Sequence, residues 1–468
     1  LHYRLSLPRL ALDTLYIELT IDRWEQGDSI RLLLPPLYAD NPMLLSTAPN
    51  FHLLSLRSSE GASVGVVIDS VQMGPLKVAR LSCSGGQLPL KLRYGVSFNY
   101  DSTRTAGMPL PTLASSGGYL QGNYLFVIPG DEDALSRLWR RRRDISVSWE
   151  LGAGVTMYGD PLQVSYANAY ELLFSTAALN ATVVYEGAGG GQSFRIVNLG
   201  GTPAYASFSD RVAHDCALIV QDVHGLFGSL NHPLSIITGN NHSGGLEGSY
   251  AFTILEPWID DSHGIFNMVV AHEAVHCWIG VRVGEHEDGW WKEGTTNYLG
   301  YQLAFRRGLC SRWLVEQTLL ADLSKDLSVM QIPLSDALVR VGLYDTTMGM
   351  LGLVYTKGAQ VSMLIDERLR RQSGGRSSIE GLCSYVVGQL DGGAFDRAAY
   401  LELVKRYSGI EIGDIYAQWV DSAGVIPNTL LASSWVSLLS MGAFGQQPLV
   451  AASAGDGAKA LKSRVRRW

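Results

Sequence analysis

Apolar and polar positions alternate over short runs through the first 165 residues. The stretches 15–20, 30–34, 64–68, 92–98, 124–128 and 145–149 carry this two-residue period, and Gly, Pro, Asn, Asp or Ser punctuates them. Successive strand side chains point to opposite faces, so the pattern predicts half-buried strands joined by tight turns. Regular short strands of this kind imply a sandwich or saddle-like sheet domain over 1–165.

Past residue 165 the period changes. Strand signal at 182–198 surrounds a glycine run at 187–191, which reads as a loop and lacks the phosphate-cradling GxxxxGK[ST] pattern. Helical spacing follows over 207–227, with Val212, Ala217, Val220, Val223 and Leu226 on one face. A strand is predicted at 234–238. The segment Gly244-Gly245-Leu246-Glu247-Gly248 reads as an edge strand, and 251–255 continues the sheet. Helices are expected at about 264–280 and 292–308. The pattern then stays mainly helical from 311 to 426, as in 360–371, 379–389 and 397–407, and a Gly/Ala/Ser-rich tail follows Pro427. The fold class is multidomain α+β, divided at 1–165, 166–310, 311–427 and 428–468.

Composition narrows the picture. The chain has 468 residues, 46% hydrophobic and 17% charged. That is too long for one ordinary core and too apolar for disorder. A formal net charge of −7 gives no reason to expect nucleic acid as a partner. The basic clusters Arg140-Arg141-Arg142-Arg143 and 459–467 read as solvated, with the tail open to an acidic protein partner or an anionic lipid surface. Cys83, Cys216, Cys277, Cys310 and Cys383 are scattered with no CxxC pair, so neither a disulfide framework nor a cysteine metal site is expected. The longest apolar candidate, 430–450, is interrupted by serines, Gln446, Gln447 and Pro448, and no transmembrane helix is read. The chain starts at Leu1, and that start together with the scattered cysteines leans toward an exported protein.

The chemistry concentrates at His272-Glu273-Ala274-Val275-His276. On a helix, positions i and i+4 share a face, so two imidazoles at this spacing can close on one zinc ion. Glu273, beside the first ligand, can reach a water at that metal and take its proton. The flanks Val269, Val270, Ala271, Ala274, Val275 and Trp278 make the helix largely buried. Two histidines and a glutamate there are costly unless paired or metal-bound. A third ligand is needed, and Glu293 opens the next helical pattern after Trp290-Trp291-Lys292. The competing reading of Glu293 is a carboxylate favoured by a helix N-terminus. His263, His286, Asp288 and Lys292 flank these motifs and read as solvated loop residues, with a place lining the pocket as the alternative.

These residues, with the run 303–309, resemble the M61 glycyl aminopeptidase family, related to the M1 aminopeptidases within the gluzincin clan. Gly244-Gly245-Leu246-Glu247 is similar to the GGLE strand of M61, and Tyr355-Thr356-Lys357-Gly358 to the YxKG signature before a long helix. The resemblance implies a thermolysin-like zinc peptidase domain between the β-rich region and a C-terminal helical region. It implies zinc on His272, His276 and Glu293, Glu273 as general base and Tyr355 as oxyanion donor. It also implies that Glu247 captures the α-ammonium of a peptide with a free N-terminus, while the backbone at Gly244 and Gly245 holds the peptide as an added strand. The expected activity is a metallo-aminopeptidase removing N-terminal residues such as Gly or Ala. Taken without the resemblance, Tyr355 reads as a core tyrosine and Glu247 as a surface residue on a turn. An endopeptidase and a non-catalytic scaffold retaining the fold are the other functional readings.

Overall fold

The computed structural model describes residues 1–7, 14–23, 29–34, 51–73, 76–84, 88–98, 112–114, 117–129, 144–199, 210–239, 245–254, 264–285, 289–337, 351–390 and 392–445. The chain is mixed α+β, with several sheets and a helical C-terminal part. It divides into two compact units. One comprises Leu1–Ile259, Glu273–Glu287 and Ser384–Asp396; the other comprises Asp260–His272, Asp288–Cys383 and Arg397–Trp468.

The first unit is built on sheets. The largest orders its strands Gln163–Tyr166, Ile145–Leu151, His2–Leu7, Thr14–Ile21, Leu90–Ser97 and Phe51–Arg57. All neighbours are antiparallel except His2–Leu7 with Ile145–Leu151. Tyr3, Leu5 and Leu7 face inward with Leu15, Ile17, Leu19 and Ile21, while His2, Arg4 and Tyr16 are exposed. The two-residue period thus becomes one buried face and one wet face. Two further four-stranded sheets run Ile128–Pro129, Ser29–Leu33, Leu76–Ser84, Val67–Met73 and Met157–Gly159, Thr176–Leu179, Gly117–Gln121, Thr112–Ala114.

The sheet that leads toward the site contains Thr182–Gly189, Gln192–Asn198, Leu234–Thr238 and Ala251–Thr253 in that order. Its first pair is antiparallel and the other two are parallel. Helix α1 (Asp210–Phe227) makes the crossover between the parallel strands Gln192–Asn198 and Leu234–Thr238. Its apolar stripe, Ala213, Cys216, Ile219, Val220 and Val223, is buried. Contact with the sheet is close at Gly189, where an added Cβ would stand 2.3 Å from the Ala217 carbonyl oxygen.

Helix α2 (Ile265–His276) carries the HExxH motif. The second unit is helical. A π-helical segment, Trp291–Thr295, runs straight into α3 (Thr296–Arg306), and a second, Leu351–Lys357, runs into α4 (Gly358–Ser373). Gly374, at φ +65°, ends α4 in the left-handed conformation that glycine adopts without a Cβ penalty. Helix α5 (Asn428–Ser440) packs on α4.

Four local expectations are corrected. The strand expected at 124–128 is a buried helical turn, Gly122–Leu125, followed by the short strand Ile128–Pro129, because its apolar residues are buried on every side and so fix no two-residue period. The strand expected at 64–68 is Val67–Met73, because pairing with Leu76–Ser84 sets its limits and the apolar run 64–68 straddles the preceding loop. The glycine run at 187–191 is not a loop: Gly187–Gly189 belong to a strand, and Gly190 and Gly191, both at positive φ, make the two-residue turn of a hairpin. The stretch after Pro427 begins as helix α5, because Leu431, Trp435 and Leu438 recur at helical spacing and are buried. The basic clusters Arg140–Arg143 and 459–467 lie outside the described residues. The five cysteines are free and buried. Among the described residues no helix is long and apolar enough to cross a membrane.

Candidate metal centre and active site

Helix α2 is apolar on nearly every side. Phe266, Val269, Val270, Ala271, Ala274 and Val275 are buried, and so are its polar residues His272, Glu273 and His276. Burying such groups is costly unless they are hydrogen-bonded or ligate a metal. The helix ends at His276, short of the expected residue 280. There the imidazole Nδ1 donates to the Ile279 carbonyl oxygen at 3.0 Å. A carbonyl only accepts, so Nδ1 carries the proton and the Nε2 lone pair remains for a metal.

Glu293 approaches from the π-helical segment. Its Oε2 stands 3.6 Å from His272 Nε2, and its Oε1 stands 3.3 Å from the Lys292 ammonium. Ligand atoms of His272, His276 and Glu293 all lie within 4.8 Å of one another. In a tetrahedral shell with zinc distances of about 2.0–2.2 Å, ligand atoms stand about 3.4 Å apart. Two imidazole nitrogens and one carboxylate oxygen at these separations, buried and on rigid helices, fit zinc in both donor type and spacing.

Glycines bring the helices this close. An added Cβ at Gly300, two turns beyond Glu293 on the same helical run, would stand 3.1–3.3 Å from the backbone and Cβ of His272. At Gly294 it would stand 2.4 Å from the Gly358 backbone, so the first π-helical segment crosses the start of α4 in backbone contact. That crossing positions Tyr355. Its ring stacks on His272, with centroids 5.9 Å apart and planes inclined by 22°, and its carbonyl oxygen accepts from Asn297 Nδ2 at 3.3 Å.

On the first unit, Leu246 pairs with Thr253 through backbone hydrogen bonds of 3.2 and 3.0 Å, which extends the edge of the sheet. Gly245 lies directly against Glu273: an added Cβ would stand 2.1 Å from Oε1. Glu247 is buried at 8% exposure, so it is not a surface residue on a turn. Gly248 permits the return of the chain, since a Cβ there would meet the Ala251 carbonyl oxygen at 2.2 Å. Gly244, His263, His286 and Asp288 lie outside the described residues.

Lys292 corrects the sequence reading. It is 4% exposed and paired with Glu293, not solvated. Tyr119, on strand Gly117–Gln121, was not singled out by the sequence reading, yet it feels the charges of the site. Burial pushes its phenol well above the usual range, and Tyr124 and the carboxylates of Glu247 and Glu273 push it further. Cys277 follows His276 but is inert: burial pushes its thiol up to about 12.

No family model matches this chain, and no curated protein matches it. Solved structures share its fold. One is an aminopeptidase N family protein from Idiomarina loihiensis, at TM-score 0.65 and 17% identity over 92% of this chain and 78% of that one. Another is an M1 zinc metallopeptidase from Deinococcus radiodurans, at TM-score 0.60 and 17% identity over 91% and 94%. A mutant of the Deinococcus protein is known bound to a Tyr-Ser-Ala substrate. Yeast LTA4 hydrolase in complex with bestatin is similar at TM-score 0.58 and 14% identity, over 91% of this chain and 68% of that one. The class so defined is the fold of the M1 zinc aminopeptidases, with a His-His-Glu group among this chain's own buried residues.

Proposed function

We propose that the protein is a zinc metallo-aminopeptidase that hydrolyses N-terminal residues, Gly or Ala among them, from peptides. The observation that carries this reading is the buried group of His272, His276 and Glu293 on converging helices, with Glu273 on the same helix as the two histidines. Zinc held there supplies Lewis acidity toward a peptide carbonyl and toward water. Glu273 takes the proton of the attacking water and passes it to the leaving amine. The Tyr355 hydroxyl donates to the oxygen on which charge develops. Glu247 receives the substrate ammonium, and the backbone at Gly244 and Gly245 aligns the peptide as an added strand. The Tyr-Ser-Ala complex of the Deinococcus mutant supports a peptide substrate. The GGLE and YxKG motifs favour M61 as the nearer kinship within the gluzincins.

The test compares wild type with Glu273→Gln on alanyl and glycyl peptides, free and N-acetylated. Wild type should cut only the free peptides. The variant should keep one zinc per chain and lose hydrolysis by about a thousandfold. Undiminished activity in the variant removes the general-base role, equal cleavage of acetylated peptides removes the role of Glu247, and an inactive wild type with full zinc favours the scaffold reading.

A further inference from the structure

Lys357 is a buried cation that the proposed reaction does not use. It is fully buried, and its Nζ donates to the Ser422 carbonyl oxygen at 3.1 Å. Burying an ammonium against a single carbonyl costs stability that an apolar side chain of the same length would not. Burial alone pulls the Lys357 ammonium down to about 8. Such a residue calls for a compensating use.

Its place in the chain suggests one. Lys357 is the last residue of the π-helical segment Leu351–Lys357, two residues after Tyr355 and just before Gly358, which touches Gly294. A π-helical turn is less favourable than an α-helical one and persists where something outside holds it. The acceptor is itself fixed. The Ser422 hydroxyl donates to the Ala417 carbonyl oxygen at 2.9 Å, neighbouring Asp421 pairs with Arg397 at 2.6 Å, and the Gly424 N–H donates to Val329 at 2.8 Å. Asn297 holds the Tyr355 carbonyl from the other side.

We infer that Lys357 is a positioning residue, which clamps the π-helical segment to the Ser422 carbonyl and so holds the Tyr355 hydroxyl where the oxyanion forms. This rests on the proposed role of Tyr355. The clamp acts on the transition state, so its loss lowers kcat and leaves KM and the metal in place.

The test is steady-state kinetics, zinc content and melting temperature for Lys357→Met, Ser422→Ala, Tyr355→Phe and the double variant Tyr355→Phe/Lys357→Met. Lys357→Met, which fills the same space without a charge, should melt no lower than wild type, keep one zinc, and lose at least tenfold in kcat with KM within twofold. Ser422→Ala, at an exposed position, should lose two- to fivefold in kcat. The double variant should be no slower than Tyr355→Phe alone. A Lys357→Met enzyme with kcat within twofold of wild type overturns the clamp, as does independent addition of the two losses in the double variant. If Lys357→Met fails to fold, Lys357→Gln and Lys357→Leu take its place, and kcat within twofold of wild type in either one overturns the clamp. A Tyr355→Phe enzyme of full activity overturns the role of Tyr355 and the clamp with it, whereas a slow Tyr355→Phe beside an unimpaired Lys357→Met removes the clamp alone.

Discussion

Replacing Gly245 by Ala should separate catalysis from folding. The new Cβ would stand 2.1 Å from Glu273 Oε1, 2.4 Å from its Cδ and 2.5 Å from its Cγ, all inside the 3.0 Å below which such contacts essentially never occur. The carboxylate must retreat by about 1 Å. A displacement of that size at a reacting group costs on the order of a hundredfold in rate, or about 2.7 kcal/mol in activation free energy. The folded state has less to lose. The clash involves a side chain with rotatable bonds, Gly245 is not at positive φ, and the Gly-to-Ala change removes about 0.4–1 kcal/mol of unfolded-state entropy. The melting temperature should therefore move by no more than about 4 °C. Zinc content should not change, because Glu273 is outside the His-His-Glu group. The assay is hydrolysis of an alanyl chromogenic substrate beside metal analysis and thermal melting of the same preparation. A kcat within threefold of wild type would show that the Glu273 carboxylate has no required position. A rate loss accompanied by zinc loss would move the strain to the ligands and refute the argument.

Two further outcomes follow from the same geometry. His276→Ala should copurify without zinc, since two protein ligands do not hold the ion tightly; stoichiometric metal in that variant would place it elsewhere. Asp160 is buried, and burial raises its carboxyl to about 7, although the Tyr166 hydroxyl and the Thr176 N–H at 3.1 Å stabilise its charged form. The folded value lies above the unfolded value of about 3.9, so the protonated form favours folding, and this contribution is lost as pH rises from about 4 through 7. Asp160→Asn should therefore gain melting temperature relative to wild type between pH 5 and pH 8, by linkage worth on the order of a few kcal/mol at the upper end; a gap that stays constant across that range refutes the assignment.

Legibility in the sequence followed the range of the interactions. The strand predicted at 234–238 is Leu234–Thr238, because an apolar run between Pro233 and Gly239 leaves little freedom at either end. His272 and His276 were legible because i and i+4 place them together within one helix. The approach of Glu293 to the two histidines was legible because a zinc site on them calls for a third ligand and the next helical pattern opens on a carboxylate. Lys292 was misread because its burial comes from distant elements packed on its segment, Leu351–Lys357 and Gly358–Ser373 among them, and a lysine beside a glutamate reads the same in sequence whether buried or solvated. Tyr119 lies far along the chain from Glu247 and Glu273, on a strand whose pattern looks like any core strand. The crossing of Gly294 and Gly358 is a contact between backbones and leaves no mark in hydrophobic periodicity.

The π-helical segments were the least legible and matter most to the site. One inserts Glu293 just before α3, and the other inserts Tyr355 just before α4. Each adds a residue to a turn, which rotates the following side chains away from where α-helical spacing would put them. Continuous α-helices through 291–306 and 351–373 would keep the same hydrophobic pattern yet aim Glu293 and Tyr355 elsewhere. Sequence periodicity therefore identifies the helices but not the angles at which their functional residues leave them. Those angles are set by Gly294 against Gly358, by Gly300 against His272 and by Lys357 on Ser422, three contacts that exchange local helical regularity for the convergence of His272, Glu293 and Tyr355.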